Sequence, residues 1–357
     1  MTEAISLFIE TQEFAFWSSV EIQISMDNFS SVSFTAPFEA DRAEFRETFR
    51  PFRFKPLTLH ILNPRTNVND ALFTGTMVNI DPVLESNSRS VQVSGYGAPA
   101  VMGDCSMPVV NLPIEFNGEK LRDIAIKLAA AFELSVVFNS EDGAKFDRVA
   151  LEVSDKPASF LAKLARQRNL VMTDDEDGNL VFQQSAPPGL PVARLQQGVM
   201  PLHQVVPSFS PQEYFSEVTG FAPTKGSRLG SRFTVLNKFL NETTDTVRTI
   251  RPKSFKLEDT DDADAPTGTN AKIGRMFGNM VSYNLELPTW RDPRGALWTP
   301  NTTLTLLAPD AMVYNETELL IREVTLRQET KKESATLNVV LPGAFNGAQP
   351  ETLPWQE

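Results

Sequence analysis

The fold is decided by two stretches, IEFNGEKLRDIAIKLAAAFELSVVF at residues 114–138 and LEVSDKPASFLAKLARQRNLVM at residues 151–172. Each predicts a strand, a helix and a second strand. In the first helix the apolar residues recur three or four positions apart, which is typical of one buried helical face. This face consists of Leu121, Ile124, Ala125, Leu128 and Phe132. We therefore predict two consecutive β-α-β units.

The second unit follows the same plan as the first. We predict its strands at residues 151–153 and 170–172, around a helix that carries Leu161, Leu164 and Ala165.

Local signals around the second unit predict where its helix begins and where its last hairpin turns. Pro157 suits the first helical turn, where no backbone N–H is needed, and Ser154 and Asp155 are candidate caps. Asp177-Gly178 predicts a two-residue hairpin turn, since glycine supplies positive φ, and a further strand is expected at residues 179–183.

Size and charge limit the classes of function. The chain has 357 residues, which is enough for two or three domains. Its 33 basic and 45 acidic residues give a formal charge of −12, which argues against sequence-independent nucleic-acid binding and against anionic membranes. The acidic Glu3 argues against a secretory signal, and the lack of a long apolar run argues against both a signal and membrane insertion. Cys105 is the single cysteine, so folding in a reducing cytoplasm is the simplest expectation.

The rest of the chain predicts short strands with turn residues between them. We therefore expect an α+β, mainly β protein: a β-barrel-like domain at residues 1–100, an α/β domain at 101–185 and a second β-barrel-like domain at 186–357. A linker is expected at residues 186–191, because they are rich in proline and glycine. In the last domain we predict an inserted part at about 253–281, with a solvated acidic loop at 258–264 and a short helix capped by Asn270. Strands are predicted at 5–9, 16–26, 32–35, 57–62, 72–80, 90–95, 192–195, 213–221, 246–251, 282–287, 302–307, 319–327 and 335–341.

A loose dinucleotide-binding pattern occurs at residues 95–100, GYGAPA, with Glu115 near the spacing of a ribose-binding acid. However, Pro99 falls inside the pattern, and Gly103 and Pro108 interrupt the helix that should follow. A turn at the end of the first domain is the favoured interpretation.

The acidic run at residues 173–178, TDDEDG, resembles a calcium loop only in part. With Gly178 at the sixth position, Thr173 and Gln184 occupy positions that need carboxylates, so an acidic hairpin is favoured. The acidic loop at 258–264 could also hold a cation, but a run of like charge is more often solvated.

Residue types that commonly carry catalysis are scarce. His60 and His203 are the only histidines, Cys105 is alone, and Ser227 does not stand in a G-x-S-x-G elbow. A carboxylate pair for glycoside hydrolysis stays open, because the separation of carboxylates in space is not visible in a sequence. We predict no catalytic, cofactor-binding or metal-binding residue and no enzymatic activity, and the sequence does not locate a partner interface.

The stretch FLAKLARQRNLVMTDDEDGNLVF, residues 160–182, resembles the middle of the baseplate hub proteins of Mu-like contractile-tailed phages, including 43 kDa-type tail proteins of prophages. Flanking stretches resemble the same family in the same order, and the region around the acidic loop departs most from it. These stretches are VQVSGYG at 91–97, GDCS at 103–106, residues 121–138, TVRTIRP at 246–252, and residues 319–345, which end in LPGAF.

The resemblance implies a homotrimeric hub whose two β-barrel-like domains per chain form a pseudo-sixfold ring between the tail tube and the central spike. Expected partners are the spike protein and the tube or adjoining baseplate proteins, with DNA only passing through the channel. The expected location is the virion tail baseplate, assembled in the host bacterial cytoplasm. The negative charge adds the hypothesis that the channel wall repels DNA phosphates. Alternatives are a tail-associated cell-wall hydrolase and a ring-forming secretion-system module.

Overall fold

The computed structural model describes residues 3–62, 69–86, 88–112, 114–186, 189–222, 231–240, 249–257, 265–330 and 332–356. The predicted mainly β fold is confirmed. In the first β segment all predicted strands are present, because alternating side chains such as Val91 and Val93 are buried while Gln92 is exposed. The elements are β1 Ile5–Ile9, β2 Gln12–Glu13, β3 Ser19–Ser25, β4 Ser31–Pro37, α1 Ala43–Thr48, β5 Pro56–Leu62, β6 Asn69–Leu84 and β7 Arg89–Gly97.

The α/β segment contains the predicted order of strand, helix and strand twice. The predicted strand at 151–153 is wrong, since the strand ends at Leu151 and the side chain of Val153 is 71% exposed. The elements are α2 Val101–Asp104, β8 Ile114–Glu119, α3 Leu121–Ala130, β9 Val136–Phe138, β10 Phe146–Leu151, α4 Pro157–Gln167, β11 Val171–Asp174 and β12 Leu180–Gln183.

Strand pairing runs between the two units and not within them. β8 pairs with β10, whereas β9 and β11 both pair with β12 in a separate sheet. The two strands of each unit therefore lie in different sheets. Periodicity identifies each element, but it does not specify which strand pairs with which. The pairing of strands from different units was therefore not predicted from the order of elements.

Two local predictions in this segment need correction. α4 begins at Pro157 as expected, but its N-cap residue is Lys156 and neither Ser154 nor Asp155 caps it. The hairpin between β11 and β12 turns over residues 176–178, not over two residues, because the N–H of Gly178 donates to the carbonyl of Asp175 at 3.0 Å. Gly178 still supplies the expected positive φ, at +83°.

The last β segment begins after the predicted linker, of which residues 187–188 lie outside the described residues. The acidic loop at 258–264 and residues 246–248 of the strand predicted at 246–251 also lie outside them. The described rest of that strand, residues 249–251, is not in a strand, since β17 begins only at Pro252. Asn270 is inside a helix and not at its cap. The elements are β13 Arg194–Gln196, β14 Gln204–Phe209, β15 Glu217–Ala222, β16 Ser231–Leu236, β17 Pro252–Lys256, α5 Ala265–Met280, β18 Val281–Leu287, β19 Thr303–Ala308, β20 Val313–Glu329 and β21 Lys332–Val340.

One sheet of 13 strands joins the first and last β segments. Its order is β14-β18-β21-β20-β3-β4-β7-β6-β5-β1-β2, with β19 also paired to β20 and β13 paired to β19. This order is an open path, and no closed barrel is present among the described residues. The two predicted barrel-like domains therefore stay a prediction.

The long strand β20 makes the connection because it changes neighbours along its length. Its first half pairs with β19, and from Glu323 onward it pairs with β3. The change occurs at a β-bulge, where Arg322 is the extra residue between Ile321 and Glu323.

Buried side chains form separate clusters. The largest contains residues from both β segments, including Phe34 and Leu337. Another is confined to the α/β segment and contains Leu121 and Leu164. None of the described helices has the length and apolarity needed to cross a membrane.

Candidate functional site

The dinucleotide-like stretch at residues 95–100 lies where the first β segment packs against the α/β segment. Gly95 and Gly97 lie in β7, which is followed by a turn of 3-10 helix and the four-residue helix α2. A Cβ atom on Gly97 would lie 1.7 Å from Oδ2 of Asp174. Glu115, the candidate ribose-binding acid, forms an ion pair with Arg148 across the β8–β10 pair. These residues serve packing and strand pairing, which is not the geometry of a dinucleotide site.

The acidic hairpin uses its polar groups internally and at the junction with the first β segment. Asp175 accepts the backbone N–H of Asn179 at 2.8 Å and its side-chain amide at 2.9 Å. The single hydroxyl hydrogen of Thr173 is shared between the carbonyls of Ser25 and Asn28, whose oxygens lie 2.6 and 2.8 Å from the hydroxyl oxygen. In the part of the chain that the structure describes, no group of three or more His, Cys, Asp or Glu residues is placed to hold a metal ion.

The isolated candidates from the sequence lie apart from one another. His60 lies in β5, where its ring meets that of Phe8 edge-on with centroids 5.5 Å apart. His203 precedes β14, and its backbone N–H donates to the carbonyl of Glu286. Cys105 is an exposed free thiol, and Ser227 lies outside the described residues. No catalytic constellation is assembled from these residues.

A groove with a volume of about 720 Å³ lies where the three segments of the chain meet. Helices α4 and α5 form its sides. Strand β11, the bulge of β20 and the connection between β3 and β4 line the rest, together with β17 and Phe345. This volume is in the range of ligand-binding clefts.

The groove is strongly basic although the chain is acidic. Of the described side chains that line it, one, Asp27, is acidic and six are basic. The basic side chains are Lys163, Arg166, Lys256, Lys272, Arg275 and Arg322. Arg322 binds Asp27 through two nitrogens, at 3.1 and 2.9 Å, so the single carboxylate is already paired.

The half-buried Arg275 lies deep in the groove. Its guanidinium donates to the carbonyl of Leu170 at 2.9 Å, just past the end of α4. Burial and the nearby charge of Arg166 lower the pKa of Arg275 to about 10. Partial burial and the charge of Lys253 lower the pKa of Lys272, whose side chain still reaches solvent. The groove therefore holds positive charges that repel one another.

Sequence reasoning missed this groove. Its basic residues come from α4, β17, α5 and β20, which are brought together only by the tertiary fold. Lys163 and Arg166 on the exposed face of α4 are three residues apart and were the available signal. Such a pair more often marks an ordinary solvated helix face.

Residues 100–184 match the family described as "Baseplate hub protein gp44-like, second domain". The chain is also 26% identical over 254 residues to the baseplate hub protein gp44 of Escherichia phage Mu. This chain is similar to the Mu-like baseplate hub proteins. The predicted resemblance to that family is thus confirmed. The aligned residues are 68% of this chain and 65% of gp44, so the match spans less than two thirds of the phage Mu protein.

Two solved tail proteins have the same fold over nearly the whole of this chain. The prophage MuSo2 43 kDa tail protein of Shewanella oneidensis superposes with a TM-score of 0.77 and 22% identity, over 96% of this chain and 99% of that one. The tail protein of Neisseria meningitidis MC58 gives a TM-score of 0.77 and 17% identity, over 97% and 99%.

A more distant likeness extends to a secretion system. The E. coli c3393 protein, described as a component of the type VI secretion system with similarity to T4 tail proteins gp27 and gp5, has a TM-score of 0.55 and 10% identity, over 94% of this chain and 76% of that one. At this identity the likeness concerns the fold alone.

Proposed function

We propose that this chain is a structural subunit of a phage contractile-tail baseplate, a homotrimeric hub that joins the tail tube to the central spike and leaves a channel for DNA. The observation that carries the proposal is the shared fold with two solved tail proteins over at least 96% of this chain, together with the gp44-like segment at 100–184. The proposed location is the virion tail baseplate, after assembly in the host cytoplasm. The expected two barrel-like domains per chain would form the ring.

Exposed apolar side chains support an assembly role. Phe52, Val109, Val110 and Leu190 are 86%, 85%, 90% and 93% exposed in the single chain. Side chains of this kind gain free energy when a neighbouring subunit covers them, by roughly 1.5–3 kcal/mol for full burial of each. They lie in different segments of the chain, which suits a subunit with several neighbours.

The loop that carries Phe52 has a second unusual property. Phe52 and Phe54 adopt left-handed backbone conformations, with φ of 61° and 47°. This conformation costs an L-residue about 1–2 kcal/mol, and yet both rings project into solvent. Contact with another subunit would offset that cost, so we assign this loop to the trimer interface.

We propose a structural role without enzymatic activity. The relatives are named as baseplate hub and tail proteins, and the candidate residues from the sequence do not converge on one site. The acidic charge of the chain also supports a channel wall that repels DNA phosphates. A ring-forming secretion module is the second candidate, on the fold shared with the c3393 protein.

Light scattering and negative-stain imaging of the purified full-length chain test this proposal. We expect a mass three times that of the 39.7 kDa chain and a ring with threefold symmetry around a central hole. A monomer that persists at high protein concentration contradicts the hub. Peptidoglycan hydrolysis by the pure protein would favour the tail-associated hydrolase instead.

A further inference from the structure

We infer that the basic groove between α4 and α5 is a binding site for a short acidic peptide segment of a partner protein. The groove combines a cleft volume of about 720 Å³ with six basic side chains and one carboxylate among its described lining residues. This inference does not depend on the hub proposal.

The first step is the missing neutralising charge. Two of the six basic side chains are already engaged, Arg322 by Asp27 and Lys163 by a contact of its own, so the argument concerns the other four. No ion pair within the described residues involves Arg166, Lys256, Lys272 or Arg275. Mutual repulsion among such groups destabilises the folded chain unless an anion binds. The chain has a formal charge of −12 and contains more acidic than basic residues, so a cluster of positive charges is not expected by chance.

The second step is the kind of anion. Within the groove, Arg322 already holds the carboxylate of Asp27 in a two-nitrogen arrangement, at 3.1 and 2.9 Å. Guanidinium groups favour this planar pairing with carboxylates. Arg166 and Lys272 lie at the exposed rim, where they could meet further carboxylates of a bound segment.

The third step separates a peptide from a nucleic acid. Single-stranded nucleic acids bind through bases that stack on open aromatic rings. Three phenylalanines line the groove. The ring of Phe345 is buried, and the guanidinium carbons of Arg275 and Arg322 lie over it, at 5.9 and 5.4 Å from its centroid, so it has no free face for a base. Phe29 and Phe255 are partly buried and already pack against hydrophobic clusters. The apolar lining, which includes Val171 and Met172, suits the aliphatic side chains of a peptide.

The test uses the full-length protein and a fluorescein-labelled peptide of alternating glutamate and leucine, followed by fluorescence anisotropy. We expect saturable binding that weakens as salt is added. The matched peptide with glutamine in place of glutamate should not bind. The double variant R166E/K272E should weaken binding by about tenfold or more. The control K145E/R232E, which changes exposed basic residues outside the groove, should bind as the wild type does.

Several results would overturn the inference. These are no binding by the wild type, equal binding of the glutamine peptide, or an undiminished affinity in R166E/K272E when its melting temperature is unchanged. Tighter binding of labelled oligothymidylate would assign the groove to nucleic acid. Residues 258–264 supply five carboxylates next to Leu257, which lines the groove. If the peptide binds only a variant with these residues changed to amides, the chain's own carboxylates compete for the groove and the partner site is rejected.

Discussion

Ser30 donates both its backbone N–H and its hydroxyl to one oxygen of Asp174, Oδ1, at 2.8 and 2.9 Å. Ser30 precedes β4 and Asp174 ends β11, so these bonds tie the α/β segment to the first β segment. The side chain of Asp174 is buried, and its other oxygen, Oδ2, has no hydrogen-bond partner among the described residues. Burial therefore raises the pKa of Asp174 to about 6, although the bonds from Ser30 act in the opposite direction.

The raised pKa of Asp174 predicts that stability falls as pH rises from ~4 to ~6. In this window the unfolded chain releases the proton near its ordinary pKa of 3.8, whereas the folded chain retains it. Above the window the penalty is constant, at most about 3 kcal/mol for two pH units. The variant D174N lacks this titration and should lose this part of the pH dependence. Urea unfolding of both proteins from pH ~4 to ~7 measures it, and a constant difference in their free energies of unfolding would refute the prediction.

The close approach of Gly97 to Asp174 predicts a large steric cost for any side chain there. In G97A the new Cβ would lie 1.7 Å from Oδ2, so β7 or β11 must move. We expect G97A to lower the free energy of unfolding by about 2–4 kcal/mol. G103A is the matched control, since its Cβ meets only Ala158, at an ordinary 3.9 Å. Denaturant unfolding compares the two, and equal stabilities would rule out a tight contact at Gly97.

The separate hydrophobic cluster of the α/β segment predicts that residues 101–185 fold alone. Leu121, Ile124, Leu161 and Leu164 are fully buried within this segment and pack on one another. We expect a single cooperative thermal transition in circular dichroism. L164A should lower the free energy of unfolding of the isolated segment by about 2–5 kcal/mol. A segment with no cooperative transition would show that it needs the β segments.

The strained loop with Phe52 and Phe54 predicts a specific loss of assembly. Serine at both positions removes the apolar area that a neighbouring subunit would cover, so F52S/F54S should dissociate at concentrations where the wild type is trimeric. R53S is the control, because it changes the same loop without removing an aromatic ring. Sedimentation velocity measures the masses. Trimers of equal stability in both variants would place the subunit contact elsewhere on the chain.

Prediction from the sequence succeeded where one chain segment contains the whole signal. The alternation around Val91 and the helical stripe from Leu121 identified strands and a helix, since burial of one face depends on spacing alone. Prediction failed where a feature depends on contacts with a distant segment of the chain. The pairing of β9 with β12 and the junction at Asp174 depend on tertiary contacts that no local pattern encodes. The basic groove was missed for the same reason, because Arg166, Lys272 and Arg322 are far apart in the chain.

The pairing of β3 with β20 has a consequence for how the protein is made. Ile24 lies opposite Val324, so one edge of β3 stays without its partner until the residues around Val324 have left the ribosome. Until then the growing chain presents an open strand edge to other nascent chains, which is the usual starting point for aggregation. Rapid synthesis of the intervening residues, or a chaperone that covers this edge, would shorten that exposure.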